Sequence, residues 1–170
     1  MSEIDEFRRA KDDFFAHDPQ SPLTQDQKRE FAGLKYFPED PALRLEVALQ
    51  DTAESAPVKM QTSTGEVQTY TRIGRFRFRV DGRDAELTIF EGQHGVFLPF
   101  VDALAGQETY PAGRYLEPEP LPGGRYLVDF NRAYNPYCAY NERWLCLLTP
   151  FENRLSLPIR AGEKIFDEAH

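Results

Sequence analysis

The stretch RFRFRVDGRDAELTI, residues 75–89, decides the fold. Phe76, Phe78 and Val80 alternate with Arg75, Arg77 and Arg79, and Leu87 and Ile89 alternate with Glu86 and Thr88 on the way back. A period of two puts apolar side chains on one face of a strand and charged ones on the other. Asp81-Gly82 between the two runs supplies the positive φ angles that a two-residue hairpin turn demands. The sequence therefore predicts a β-hairpin whose arginines and acids pair across the strands on the solvent face. That pairing reads the arginine stripe as surface rather than as an anion site.

Outward from the hairpin the same grammar continues. Leu43, Leu45, Val47 and Leu49 alternate with polar neighbours, and Val58–Thr62 and Glu66–Thr71 flank a Ser63-Thr64-Gly65 turn. Val96–Phe100 and Arg125–Phe130 read as strands, Trp144–Leu148 and Leu155–Ile159 as weaker ones. The first residues follow a different period. Ile4, Phe7, Phe14 and Phe15 fall close to one helical face behind a Ser2–Asp5 capping box, until His17-Asp18-Pro19 breaks it. A second short helix is expected from Thr24, with Gln27 three residues on, carrying Phe31 and stopping at Gly33. The predicted fold is mainly β (α+β), a β-sandwich or small barrel of short antiparallel strands with an N-terminal pair of short helices. Residues 1–170 are expected to form a single domain, with 1–37 a helical segment packed on a β core at 41–170.

Composition narrows the function classes. A net charge of −8 opposes binding to nucleic acid or anionic membrane, which needs clustered Lys and Arg. No apolar run approaches the roughly 18 residues of a membrane span, and the opening MSEIDEFRRAKDD is too polar for a secretory signal. A soluble, cytoplasmic protein is expected. Cys138 and Cys146, the two cysteines of the chain, are then expected to be reduced thiols.

From Asp102 to Lys164 polar residues capable of chemistry sit beside glycines, prolines and aromatics. They include Glu108-Thr109-Tyr110, Gly113-Arg114-Tyr115, Asp129-Phe130-Asn131, Ala133-Tyr134-Asn135-Pro136, Cys138, Glu152-Asn153 and Ala161-Gly162-Glu163-Lys164. At Phe100–Asp102, Thr109–Leu116, Asp129–Ala139, Glu152–Leu155 and Ala161–Lys164 the chain resembles the bacterial and archaeal family catalogued as domain of unknown function 1684. Ser21-Pro22-Leu23, Phe31–Leu34 and Tyr36-Phe37-Pro38 extend the resemblance over nearly the whole chain. It departs at Cys146, followed by Leu147-Leu148-Thr149-Pro150 where the family pattern has Cys-Pro. The resemblance implies one folding unit and no particular activity.

The residues themselves leave two readings open. Arg114 can grip a carboxylate or phosphate bidentately, with Asp102, Asp129, Asn131 and Asn135 as polar orienters and tyrosines as walls. The candidate ligand-binding set is Asp102, Thr109, Tyr110, Arg114, Asp129, Asn131, Tyr134, Asn135, Cys138, Glu152 and Asn153. On that reading the protein is a binding module or minor enzyme for a small polar molecule, anions included. On the other, Arg114 pairs with Asp102 or Asp129 in a buried polar network of a structural or interaction protein. An enzyme using Cys138 or a bound metal is a weaker third reading. The seven residues between the cysteines are too many for a zinc hairpin. No nucleophile elbow, P-loop or dinucleotide fingerprint occurs. No metal or cofactor is expected, and neither catalytic residues nor oligomeric state are assigned.

Overall fold

In the computed structural model, which describes residues 2–50, 57–141, 144 and 146–166, the Phe–Arg alternation is one arm of a hairpin. β3 (Val67–Val80) and β4 (Arg83–Gly92) pair antiparallel with Val80 opposite Arg83. Asp81 and Gly82 both turn through the left-handed region, with φ of 50° and 77°, as a type I′ turn requires. Phe76, Phe78 and Val80 are buried, while Arg77 reaches Glu86 and Arg79 reaches Asp84 across the exposed face.

Five strands form the larger sheet, in the order β2 (Pro57–Gln61), β3, β4, β5 (Gly95–Phe100) and β6 (Arg114–Leu116). A second sheet of three holds β1 (Arg44–Ala48), β8 (Arg125–Asp129) and β7 (Glu119–Leu121), in that order. All pairings within both sheets are antiparallel. Val47 and Val128 from the small sheet join Phe76, Phe78, Leu87, Ile89, Leu98, Phe100 and Leu116 from the large one in a single apolar core. The mainly-β reading is thereby met.

Several elements differ from the sequence expectation. The two strands expected at 66–71 and 76–80 are one long β3, which absorbs its irregularity in a register shift between Arg72 and Gly74. The weaker strands expected at 144–148 and 155–159 do not form ladders among the described residues. Leu147 makes one bridge to Thr62, and Arg154 one to Val101. Near the second of these, Pro158 lacks an N–H, and the amide of Ile159 goes to the Asp102 carboxylate instead of a strand. β6 and β7 were not foreseen; Pro118 falls between them and Pro120 within β7. β7 is an edge strand, where a proline leaves no inward hydrogen bond unmade.

Both N-terminal helices form, each with a capping box: α1 (Glu3–His17) on Ser2 and Asp5, α2 (Gln25–Glu30) on Thr24 and Gln27. α2 ends at Glu30 rather than Gly33. Gly33 (φ 112°) lies in the irregular segment that follows, where Leu34 N–H donates to Asp12 of α1 at 3.0 Å. Phe15 seats α1 against Tyr140, 5.0 Å between ring centroids and nearly perpendicular. Burial of a Phe side chain contributes about 1.5–3 kcal/mol.

Candidate functional site

Arg114 lies on β6 beneath the core, 1% exposed. Its guanidinium donates to the carbonyls of Ile159 (2.9 Å), Glu163 (3.1 Å) and Ala161, and stands 3.6 Å from Asp102. Phe100 lies under it, 5.1 Å from the ring centroid. Burial pulls its pKa down to about 10, against the opposing pull of Asp102 and Glu163, so it is charged at neutral pH. Asp102 is equally engaged, accepting from the Thr109 hydroxyl at 2.7 Å and from Ile159 N–H at 2.8 Å. Gly113 precedes Arg114 with φ at 101°, and a Cβ there would lie 2.5 Å from the carbonyl oxygen of Phe100. The close approach that this glycine permits is to the protein's own backbone.

The other asparagines and acids of the expected set bind chain to chain. Asn153 holds Thr88 of β4 through both its N–H and C=O, and also donates to Pro99, each at 2.8 Å. Asn131 does the same for Asp40, at 2.8 and 2.9 Å, with Asp129 accepting from its side chain at 2.9 Å. Asn135 donates to the Lys164 carbonyl at 3.0 Å. Glu152 takes a bidentate grip from Arg72 (3.1 and 2.5 Å) and a bond from the Thr88 hydroxyl. Burial opposes ionisation of Glu152, but these bonds and the Arg72 charge win and lower its pKa. Thus Asp102, Thr109 and Arg114 converge, Asn153 and Glu152 form a second group, and Asp129 and Asn131 a third.

Glu163, absent from the expected set, is a buried node. Its carboxylate receives the Tyr140 hydroxyl at 2.5 Å and the Lys11 ammonium of α1. Ala161-Gly162-Glu163-Lys164 is one of the motifs between Asp102 and Lys164, but nothing in the sequence points from Glu163 to Lys11.

Between α1 and the large sheet lies a cleft of about 1010 Å³. Phe7, Phe14 and Phe15 of α1 form one side, and Tyr70 of β3 and Phe97 of β5 the other. Tyr115, Tyr134, Tyr137 and Trp144 complete the aromatic wall. Successive rings meet edge to face: Phe97 with Tyr115 at 4.8 Å, Tyr115 with Tyr134 at 5.9 Å, Tyr137 with Trp144 at 5.2 Å. Polar groups stand at a few points. Tyr134 O–H donates to Glu117 at 2.5 Å, and Lys11 Nζ sits 4.9 Å from the Tyr134 ring centroid. Burial and the Glu117 charge raise the Tyr134 phenol well above its ordinary value, so it remains a donor at any physiological pH. Tyr134 is the member of the expected set that lines this cleft. Phe7, Phe14 and Phe15 share the helical face read from the sequence, and Tyr115, Tyr137 and Trp144 belong to the polar-aromatic stretch from Asp102 to Lys164; no sequence signal brings these two groups together with Tyr70 and Phe97.

Two thiols adjoin the cleft. Cys146 lines it, and its sulfur accepts from Cys138 N–H at 3.1 Å. Cys138, half-buried, receives the Tyr110 hydroxyl at 3.8 Å. Among the described residues no group of three or more His, Cys, Asp or Glu side chains gathers as a metal set.

The profile of the family described as "Protein of unknown function (DUF1684)" matches residues 29–164. A solution NMR structure of the uncharacterized protein from gene locus rrnAC0354 of Haloarcula marismortui superposes with a TM-score of 0.68 at 33% identity, covering 95% of this chain and 92% of that one. No curated protein matches. The chain belongs to the DUF1684 family.

Proposed function

We propose that this DUF1684 protein is a binding module for a small, largely apolar ring-bearing molecule, held in the cleft between α1 and the large sheet with its polar end toward Tyr134, Glu117 and Lys11. The observation that carries this reading is the aromatic wall around a cleft of about 1010 Å³. Small-molecule sites are typically about 300–1,000 Å³, mostly apolar, with a few placed polar groups. Rings held edge to face offer a planar ligand both stacking and edge contacts.

A second reading applies to the motif residues. Arg114, Asp102, Asn131 and Asn153 have their donors and acceptors engaged by neighbouring backbone and side chains, which favours a structural network over an anion site at Arg114. The proposed compartment is the cytoplasm, where thiols such as Cys138 and Cys146 stay reduced.

The test uses N-phenyl-1-naphthylamine, a neutral planar probe, excited by energy transfer from Trp144, the one tryptophan of the chain. Saturable binding of one probe per chain is expected, weakened at least tenfold by Ala10→Phe. Ala10 is an exposed residue of α1 at the cleft, so the substitution fills the site without touching the core. Unsaturable binding, or the same affinity in a folded Ala10→Phe variant, would overturn the proposal.

A further inference from the structure

Cys138 and Cys146 lie side by side, and neither the cleft reading nor the motif network employs them. Cys146 is buried, its sulfur fixed by the Cys138 amide at 3.1 Å, and its own amide and carbonyl are tied to Ser63 at 3.2 and 2.8 Å. Cys138 is the more accessible of the two and faces a phenol hydroxyl on Tyr110. We infer that Cys138 and Cys146 form a peroxide-reactive dithiol, with Cys138 the attacking thiolate and Cys146 the resolving thiol.

The division of labour follows from surroundings. Cys138 is the half-buried member of the pair and its sulfur accepts from the Tyr110 hydroxyl at 3.8 Å; interaction with Cys146 and Tyr110 lowers the pKa of that thiol. Interaction with Cys138, together with burial, pushes the Cys146 thiol upward. An accessible thiolate beside a resolving thiol is the arrangement in which oxidation stops at a disulfide.

The step balances with a hydroperoxide as oxidant. The Cys138 thiolate attacks the distal peroxide oxygen, the O–O bond breaks, and hydroxide or alkoxide leaves, giving the sulfenic acid. Cys146 sulfur then attacks Cys138 sulfur, so that an S–S bond forms and the S–O bond breaks. The departing hydroxide takes up the Cys146 proton as water. Two thiols lose two electrons in all, and the peroxide gains them.

Trp144 lies within the loop that the disulfide would close, packed on Tyr137 at the cleft wall. Its emission therefore reports closure, independently of whether the cleft binds a ligand. The purified, fully reduced chain would be treated with one equivalent of hydrogen peroxide. Expected are loss of both titratable thiols, a monomer lighter by two hydrogens, and a Trp144 emission change, all reversed by dithiothreitol. Cys146→Ser should stop at a sulfenic acid on Cys138 that dimedone traps, and Cys138→Ser should leave Cys146 unreacted. Two thiols still titrating after treatment, disulfide-linked dimers, or a Cys138 sulfinic acid beside a free Cys146 would each overturn the assignment.

Discussion

Gly113 and Gly106 share a left-handed backbone, with φ of 101° and 85°, but only Gly113 is crowded. A Cβ at Gly106 meets nothing within 4 Å, whereas one at Gly113 would collide with Phe100 O at 2.5 Å and Val101 at 2.8 Å. Gly106→Ala should therefore cost only the left-handed penalty of about 1–2 kcal/mol. Gly113→Ala adds the strain of overpacking, about 1–3 kcal/mol more. Urea unfolding of the two variants against the parent checks the difference, and equal midpoints would refute the account of Gly113. A glycine before Arg114 permits a close approach by another group. Residue type was legible there and the neighbour was not, because the group that approaches is a main-chain carbonyl on β5. The same holds for Arg114: its need of acceptors was plain from its chemistry. That the acceptors are carbonyls of residues 159–163 depends on where a distant segment passes.

α1 illustrates what local pattern does and does not reveal about an element. Its capping box and apolar stripe were readable because both lie within a few residues of one another, as was the hairpin at Asp81-Gly82. The partner of its polar face was not, since Asp12 binds Leu34 N–H and Lys11 binds Glu163 at the other end of the chain. Asp12 is penalised there. Burial raises its pKa, aided by the Glu163 charge, against the lowering effect of the Leu34 bond and Lys11. A carboxyl with a folded pKa above its unfolded value, about 3.9, favours folding fully below that value and loses the contribution as pH rises through the folded pKa. Asp12→Asn keeps an oxygen for Leu34 and removes the charge. The variant should gain stability relative to the parent at pH 7 and lose that advantage near pH 3. Urea midpoints at the two pH values measure it, and an advantage that is constant or grows with acidity would contradict the burial argument.

At the scale of the molecule, the segment from Ile159 to Lys164 joins parts that no sheet connects. Its carbonyls take the Arg114 guanidinium of the large sheet, and Gly162 O accepts Phe37 N–H at 2.9 Å. Glu163 N–H donates to Ala133 O at 3.0 Å, and its carboxylate holds α1 through Lys11. Lys164 accepts from Asn135 and donates to Lys35 O at 2.8 Å. Sequence periodicity missed this role because the segment is neither helix nor strand, and such a tie leaves no repeating signature. A chain ending at Arg160 would strip Arg114 of two carbonyls and leave Lys11, Tyr140, Asn135 and Phe37 N–H without their partners. Each buried polar group left unsatisfied costs about 1–3 kcal/mol, more for a charge. Several together are comparable to the whole net stability of about 5–15 kcal/mol that a domain of this size holds. Truncation at Arg160 should therefore abolish the cooperative urea transition of the whole molecule, with near- and far-ultraviolet dichroism lost together. Phe151→Ala, at a side chain 88% exposed, serves as the control and should leave the transition in place. A truncated chain that still unfolds in one sharp step near the parent midpoint would show that the sheets hold without this segment, and the network reading of Arg114 and Glu163 would fall with it.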